Sequence, residues 1–343
     1  MFDTTTIREV KQLLLQPRDI VLVSHKNPDG DTIGAALGLM HYLRQLGHRV
    51  EALVPNEFPS FYRWLPGSDQ LLIFDQKAKE VKEKLNNASL VFCVDFNSMD
   101  RTGNMASFLQ EAPGIKIVID HHLQPSDEFQ HYFSVVETSS TGELVYSFIE
   151  AMDHLQYLNK EIALALYTAI MTDTGSFSFA CNQGRTYEIV ARLIDLGVDP
   201  TLVHRLVYDT FTESRLRLLG HSISNKMRVW NELHAAAIYL DKKDLSDFSY
   251  QVGDTEGVVN YPLSMEQINL SILLTEKNSL IRMSFRSKGG FDCNLFARKH
   301  YNGGGHKNAA GGNTALPMDQ ALQHLEETLS QYKNELGYKI GFE

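Results

Sequence analysis

Two hydrophobic patterns alternate along the first half of the chain. Short apolar runs with little polar interruption are typical of strands buried on both faces of a parallel sheet. Between them, apolar residues recur three and four positions apart, which predicts amphipathic helices. The predicted strands are 20–25, 49–54, 71–74, 90–95 and 115–120, and the predicted helices are 3–16, 32–46, 77–85, 142–152, 160–172 and 185–197. This alternation predicts an α/β fold with right-handed crossovers and an N-terminal parallel sheet flanked by helices.

The pattern changes after residue 197. Asp199 and Pro200 supply a helix cap and a first-turn proline, and the helical run that follows is predicted to continue to about Trp230. Beyond it, strands predicted at 234–240, 268–274 and 280–285 and a helix at 318–333 indicate a smaller α+β domain. We therefore expect a first domain over 1–197, a helical linker over 198–230 and a second domain over 231–343.

Composition narrows the classes of function. The chain has 343 residues, which favours two domains over one core. Its net charge of −10 argues against a groove for long duplex nucleic acid. No apolar run approaches the roughly 18 residues of a membrane span, and the first residues lack the apolar core of a signal peptide. The three cysteines are widely separated and odd in number, as expected for buried thiols in a reducing, cytoplasmic compartment.

Histidine and aspartate residues gather where the predicted strands end. They are His25, Asp29 and Asp31 after the first strand, Asp95 at the end of a second, Asp120, His121 and His122 at the end of a third, and Asp173 after an apolar helix. The carboxyl ends of parallel strands form binding sites, and a mixed set of nitrogen and oxygen ligands suits manganese-like or magnesium-like ions. The alternative is that Asp29 and Asp31 cap the following helix, that Asp173 caps a turn, and that His25 bonds locally. Asp120 is expected to orient an imidazole.

A glycine-rich stretch near the end of the chain, YNGGGHKNAAGG, is a second candidate for chemistry. Its successive glycines permit positive φ and a close approach of the backbone to a phosphate, and their N–H groups could form an anion nest. A flexible turn is the alternative. Arg282 and Arg286 would share one face of a predicted strand, either as phosphate ligands or as a solvated pair.

In combination these motifs resemble the DHH phosphoesterase family. The residues that carry the resemblance are HxxxDxD from His25, the VD strand end at Asp95, the DHH at Asp120, the DTG at Asp173 and the GGGH at Gly303. The last of these resembles the signature of the family's C-terminal substrate domain. The resemblance spans almost the whole chain, and the two-domain length resembles the stand-alone subgroup of bifunctional oligoribonucleases and pAp phosphatases.

The resemblance implies two divalent metal ions, expected to be manganese. His25 and Asp29 would bind one ion, and Asp31, His121 and Asp173 the other. Asp95 would bridge both ions. His122 would contact the scissile phosphate, so that His122 and Asp95 are the expected catalytic residues. The expected substrate-binding residues are His122, Arg286, Gly303, Gly304, Gly305 and His306.

The expected activity is hydrolysis of short single-stranded oligoribonucleotides (nanoRNA), of the 3′-phosphate of pAp, or of both. A hydroxide bridging the two ions would attack the phosphorus, in a cleft between the two domains. One alternative is a phosphodiesterase for cyclic dinucleotides, acting on c-di-AMP or pApA. Another is a nucleotide-binding sensor with an inactive metal site. The resemblance makes a homodimer plausible, and no membrane partner is expected.

Overall fold

The computed structural model describes residues 2–277 and 280–337. It divides the chain into two compact units, Met1–Thr210 and Phe211–Glu343. In the described ranges, no helix combines the length and the apolar character needed to cross a membrane.

The first unit alternates strands and helices. Its strands are β1 (Asp19–Ser24), β2 (Arg49–Val54), β3 (Leu72–Ile73), β4 (Leu90–Val94), β5 (Ile115–Asp120) and β6 (His131–Ser134). Its helices are α1 (Thr4–Leu13), α2 (Gly30–Gln45), α3 (Phe74–Asn87), α4 (Ala106–Glu111), α5 (Thr141–Ala151), α6 (Lys160–Asp173), α7 (Gly184–Asp195) and α8 (Pro200–Tyr208). The strands form one sheet in the order β3-β2-β1-β4-β5-β6, and every pairing in it is parallel. The predicted α/β class is confirmed.

Helices cover both faces of this sheet, which explains the uninterrupted apolar runs of its strands. Ile20 and Leu22 of β1 belong to the core on one face, together with residues of α2, α5 and α6. Val21 and Val23 point the other way, into a core that includes residues of α3 and α4. Consecutive residues of a strand point to opposite faces, so each residue of this run is buried.

Helices α2 and α6 approach each other unusually closely. A Cβ atom on Gly34 would lie 2.4 Å from the carbonyl oxygen of Ala165 and 2.8 Å from Cβ of Ala169, so only glycine permits this distance. The start of α2 thereby lies against the end of α6, and Asp31 and Asp173 come from these two ends.

The second unit is built on a mixed sheet. Its strands are β7 (Met227–Trp230), β8 (Ala235–Leu240), β9 (Leu270–Lys277), β10 (Leu280–Ser287), β11 (Gly304–His306) and β12 (Ala309–Thr314). Its helices are α9 (Glu213–Asn225), α10 (Lys242–Asp247), α11 (Cys293–His300), α12 (Met318–Ser330) and α13 (Lys333–Leu336). The strand order is β11-β12-β10-β9-β8-β7, in which only β8 and β9 pair in parallel among the described residues. The predicted smaller α+β region is observed.

The helical run predicted over 198–230 is interrupted between α8 and α9, and its last residues are not helical. The chain forms α8 in the first unit and α9 in the second, and residues Met227–Trp230 are the strand β7. Trp230, the last residue of this strand, is buried in the core of the second unit. β7 also pairs in antiparallel register with β8, Met227 opposite Ile238. Pairing with a partner strand leaves little signal within a four-residue window of sequence.

Candidate metal centre at the carboxyl ends of β1, β4 and β5

Strands β1, β4 and β5 are neighbours in the first sheet, so their carboxyl ends lie side by side. The structure brings the predicted ligands of the first unit together there. Three groups that lie wholly within the described part of the first unit have ligand atoms within 4.8 Å of one another: His25, Asp29 and Asp95; Asp31, His121 and Asp173; and Asp95, Asp120 and His122. We call the first group cluster A and the second cluster B.

His25 presents its Nε2 atom to the carboxylates of cluster A. Nε2 lies 3.4 Å from Oδ2 of Asp95 and 4.0 Å from Oδ2 of Asp29. Nδ1 lies 2.9 Å from the carbonyl oxygen of Lys26. Because a carbonyl oxygen only accepts, Nδ1 carries the proton in this bond, and Nε2 of the neutral ring keeps its lone pair for a cation or a donor. The hydroxyl oxygen of Thr32 lies 2.6 Å from Nε2.

Asp29 combines two of the roles weighed from sequence. Its Oδ1 accepts a hydrogen bond of 3.1 Å from the backbone N–H of Thr32 and so caps α2. Its Oδ2 is the atom that faces His25. Capping therefore occupies one carboxylate oxygen and leaves the other available to cluster A.

Asp31 does not cap its own helix, which corrects the capping alternative for this residue. Its two oxygens accept hydrogen bonds from the backbone N–H groups of Thr141 at 2.7 Å and Gly142 at 2.8 Å, at the start of α5. A helix N-terminus favours negative charge, so this contact both orients and stabilises the carboxylate. Nε2 of His121 lies 3.7 Å from Oδ2 of Asp31 and 3.6 Å from Oδ2 of Asp173, which completes cluster B.

Asp95 lies between the clusters. Its Oδ2 is 3.4 Å from Nε2 of His25, and its Oδ1 is 3.8 Å from Nε2 of His121. The hydroxyl of Thr32 donates to Oδ2, and the hydroxyl of Thr141 donates to Oδ1 at 2.8 Å. The backbone of Asp95 has a φ of 67°, in the left-handed region that non-glycine residues seldom adopt. Such strain concentrates at functional sites, and here it accompanies a carboxylate with one oxygen toward each cluster.

The electrostatics of the two clusters favour a cation. Burial and then the charges of Asp95 and Asp173 raise the pKa of Asp31 well above its usual value. Burial also raises the pKa of Asp95, but the hydrogen bond and charge of His25 and the charges of His122 and His121 outweigh it and lower that pKa overall. Crowded carboxylates that share a few imidazoles are the environment in which bound divalent cations supply the missing positive charge. The nitrogen and oxygen donors present fit a divalent ion in each cluster.

Asp120 orients His122, not His121. Its Oδ1 accepts a hydrogen bond of 2.6 Å from Nδ1 of His122, and its Oδ2 accepts one of 3.0 Å from the backbone N–H of the same residue. Nε2 of His122 is therefore directed away from Asp120. That atom lies 3.4 Å from Nη2 of Arg101. Sequence reasoning did not single out Arg101, because it lies in a 3-10 turn with no hydrophobic period to place it.

The remaining predicted site residues lie in the second unit. Arg286 is on β10, where alternate residues are buried and Arg282 and Arg286 are both half-buried on the other face, as predicted. Gly304, Gly305 and His306 form β11, and Gly303 precedes it.

Two of the N–H groups considered for an anion nest have acceptors within the second unit. The N–H of Gly303 donates to the carbonyl of Ala297 at 3.2 Å, and the N–H of Gly305 donates to Oδ1 of Asn294 at 3.0 Å. Glycine is required at two of these positions for a steric reason. A Cβ on Gly303 would lie 1.9 Å from the carbonyl oxygen of Gly311 in the paired strand, and Gly305 has a φ of 152°. Close packing within the β11–β12 hairpin therefore requires glycine at these two positions.

Two family models match the chain. Residues 19–170 match the N-terminal domain of the DHH family, and residues 234–335 match the DHHA1 domain. The bifunctional oligoribonuclease and PAP phosphatase NrnA of Thermus thermophilus is 29% identical over 93% of this chain and 91% of its own length. The protein of the same name from Bacillus subtilis is 28% identical over 92% of this chain and 96% of its own length.

Solved structures extend the likeness. An exopolyphosphatase-related protein from Bacteroides fragilis shares 39% identity, covers 98% of this chain and 99% of its own, and superposes with a TM-score of 0.93. RecJ of Thermus thermophilus in complex with Mn²⁺ matches in fold, with 16% identity, a TM-score of 0.53, and coverage of 98% of this chain and 55% of its own. Among more distant relatives, the cyclic-di-AMP phosphodiesterase GdpP of Bacillus subtilis is 24% identical over 94% of this chain but only 49% of its own length.

Proposed function

This chain belongs to the DHH family, and we propose that it is a metal-dependent phosphoesterase that hydrolyses short oligoribonucleotides and the 3′-phosphate of pAp. The observation that carries the proposal is the position of Asp95, with one carboxylate oxygen toward cluster A and the other toward cluster B. Relatives that align over nine-tenths of both chains are named as oligoribonucleases and PAP phosphatases. Their names supply the substrate class.

Clusters A and B would each hold one divalent ion. His25 and Asp29 would bind the first, Asp31, His121 and Asp173 the second, and Asp95 both. Bound divalent ions acidify water and neutralise charge on a phosphate. We propose manganese as the ion, because imidazole and carboxylate ligands together suit it.

The chain's own residues preorganise this site. Thr32 and Thr141 fix the two oxygens of Asp95 by hydrogen bonds, and the N-terminus of α5 holds Asp31. Asp120 fixes the ring of His122, which in our proposal contacts the scissile phosphate. Fixed dipoles and donors of this kind lose little energy to reorganisation during the reaction.

The second unit would contribute substrate contacts. We propose Arg286, Gly303, Gly304, Gly305 and His306 for this role. Arg286 and His306 are half-buried, and an arginine can bind a phosphate through two parallel hydrogen bonds.

The length of the substrate, the location of the protein and its oligomeric state are also proposals. A net charge of −10 favours short anionic substrates that are bound by local cations over long duplexes. All three cysteines are buried free thiols, which supports a cytoplasmic location. A homodimer is the proposed oligomeric state.

The deciding experiment is a manganese-supported assay of purified protein against pAp, pApA, a five-nucleotide RNA, c-di-AMP and pyrophosphate in parallel. We expect phosphate release from pAp and shortening of the RNA. A strong preference for c-di-AMP would assign the cyclic-dinucleotide alternative, which the more distant relatives favour.

Asp95→Asn provides the test of the site. It removes a charge from both clusters and is expected to abolish turnover and weaken the binding of both ions. Asp153→Asn is the matched control, because the side chain of Asp153 is itself 85% exposed and forms a surface ion pair with Lys11. Full activity in Asp95→Asn would contradict the proposal.

A further inference from the structure

Arg101 is a cation beside the candidate metal centre, and the described residues supply it with no anionic partner. Its Nη2 lies 3.4 Å from Nε2 of His122, and the residue is half-buried. Within 2–277 and 280–337, no carboxylate forms an ion pair with its guanidinium at 4.0 Å or less. A half-buried guanidinium keeps five N–H donors that need acceptors, and Nε2 of His122 satisfies at most one of them.

The backbone of Arg101 is fixed relative to the loop that carries His25. Arg101 lies in the 3-10 turn Met99–Met105, and its carbonyl accepts a hydrogen bond of 2.8 Å from the N–H of Lys26, the residue after His25. Gly103 breaks the turn with φ 61° and ψ −124°. A Cβ there would lie 2.8 Å from Cδ of Lys26, so the turn packs tightly on the loop after β1. Arg101 is therefore placed by the same loop that places His25.

The balance of charge in clusters A and B explains why a cation beside them would be useful. The carboxylates of Asp29, Asp31, Asp95 and Asp173 contribute four negative charges to clusters A and B, which two divalent ions would neutralise. A phosphate ester then adds negative charge, which must be met by further donors. The sequence offered His122, His306 and Arg286 for this purpose. The structure adds Arg101, next to His122 and within the first unit itself.

We propose that Arg101 binds the scissile phosphate beside His122, as a substrate-binding residue supplied by the turn after β4. This inference rests on the proposed function, because it assigns a residue to the substrate of that site. The planar guanidinium can place two N–H groups on two non-bridging phosphate oxygens. The interaction with His122 is then the contact between two neighbouring phosphate ligands.

Arg101→Met and Arg101→Lys test the assignment, with Arg49→Met as the matched control. Arg49 is the first residue of β2, so it lies at the amino-terminal ends of the strands and not at the carboxyl ends that carry the metal centre. It forms an exposed ion pair with Asp19, so its removal should have little effect. Two quantities are measured on the manganese-loaded full chain. The first is the KM and kcat for pAp. The second is the affinity for inorganic phosphate, followed by the broadening of its ³¹P resonance by Mn²⁺.

Arg101→Met should raise the KM and the phosphate dissociation constant about 10- to 100-fold, as expected for loss of a charge-assisted hydrogen bond. Arg101→Lys keeps the charge but loses the two-pronged geometry, so its effect should be intermediate. The affinity for Mn²⁺ should be unchanged in all three variants, which also reports correct folding.

Two results would overturn the inference. One is an unchanged phosphate affinity in Arg101→Met with normal Mn²⁺ binding. The other is a lower kcat with unchanged KM and phosphate affinity, because Arg101 would then only position His122. A different result separates this inference from the proposed function. If the wild-type protein hydrolyses none of the substrates but binds phosphate through Arg101, the phosphate site stands and the proposed activity fails.

Discussion

The carboxylate of Asp120 binds His122 twice, through Nδ1 at 2.6 Å and through the backbone N–H at 3.0 Å. Both carboxylate oxygens act as acceptors, and Asp120 is fully buried. An amide cannot accept at both positions, so Asp120→Asn must place an NH₂ group against one of the two donors. We expect kcat to fall about 10- to 100-fold, in line with the loss of a residue that orients a functional histidine.

The binding of Mn²⁺ separates this effect from damage to the clusters. His122 belongs to neither cluster A nor cluster B, so titration of Asp120→Asn with Mn²⁺ should resemble that of the wild type. Asp75→Asn, at an exposed aspartate in the first turn of α3, is the control for loss of a carboxylate. An undiminished kcat in Asp120→Asn would show that the orientation of His122 does not contribute to turnover.

Asp29 and Asp31 are close in sequence but lie in different clusters. Asp29→Asn should weaken the ion of cluster A more than that of cluster B, and Asp31→Asn should do the reverse. Asn caps a helix about as well as Asp, so Asp29→Asn should leave the stability of α2 almost unchanged. Calorimetric titration with Mn²⁺ resolves the two sites. Equal weakening of both ions by each variant would refute the division into two clusters.

Gly303 and Gly304 are adjacent but differ in the space around them. A Cβ on Gly303 would lie 1.9 Å from the carbonyl oxygen of Gly311, whereas one on Gly304 would meet no atom closer than 3.5 Å. Gly303→Ala should therefore destabilise the β11–β12 hairpin by about 1–3 kcal/mol, and Gly304→Ala should cost well under that. Urea unfolding of the full chain measures the difference. If the two variants are equally stable, steric packing is not the reason for glycine at 303.

The sequence predicted the structure best where the sheet topology allows only one arrangement of the strands. A strand that is buried on both faces shows an uninterrupted apolar run, and neighbouring parallel strands must end at the same edge of a sheet. Thus His25, Asp95 and Asp120 could be placed together before any coordinates were known. The sequence could not show which imidazole Asp120 orients, because the directions of two adjacent histidines after a strand depend on the conformation of the following loop.

The sequence was least informative where backbone pairing replaces side-chain pattern. β11 contains Gly304 and Gly305, which offer no apolar period, and its existence depends on pairing with β12. Arg101 is placed by the hydrogen bond from Lys26 and by the conformation of Gly103. Both are long-range or conformational facts that no local window of sequence contains.

The surroundings of Asp244 predict that the stability of the second unit depends on pH. Burial raises its pKa, but hydrogen bonds from Lys226 at 2.7 Å, from the backbone of Asp241 and from His221 at 2.8 Å outweigh burial and lower the pKa overall. A carboxyl whose pKa is lower in the folded state stabilises the fold above the unfolded pKa, here 3.8, and loses that contribution as the pH falls through the folded pKa. Asp244→Asn should therefore cost about 1–3 kcal/mol at pH 5.

This cost should begin to shrink between pH 5 and pH 3, because the carboxyl of the unfolded state takes up a proton near pH 3.8, before that of the folded state does. Urea unfolding at the two pH values, with hydrogen exchange of β8 as a local measure, tests the prediction. Asp247→Asn on the same helix is the control, since Asp247 is exposed. A cost that is constant over this range would mean that the charge of Asp244 does not contribute to stability.

The close contact of α2 and α6 predicts a link between helix packing and metal affinity. A Cβ on Gly34 would lie 2.4 Å from the backbone oxygen of Ala165, which cannot move independently of α6. On Gly38 the nearest atom, at 2.5 Å, is Cδ2 of Leu166, the end of a flexible side chain. Gly34→Ala should therefore push the helices apart, whereas Gly38→Ala can be absorbed by a change of rotamer.

The two helices carry opposite sides of cluster B, because Asp31 lies in the first turn of α2 and Asp173 ends α6. Their separation in Gly34→Ala should lower the affinity of cluster B for Mn²⁺ more than that of cluster A, in addition to a loss of stability of about 1–3 kcal/mol. Gly38→Ala should retain wild-type affinity at both sites. If Gly34→Ala is destabilised but binds both ions normally, the spacing of α2 and α6 supports the fold without setting the geometry of the metal centre.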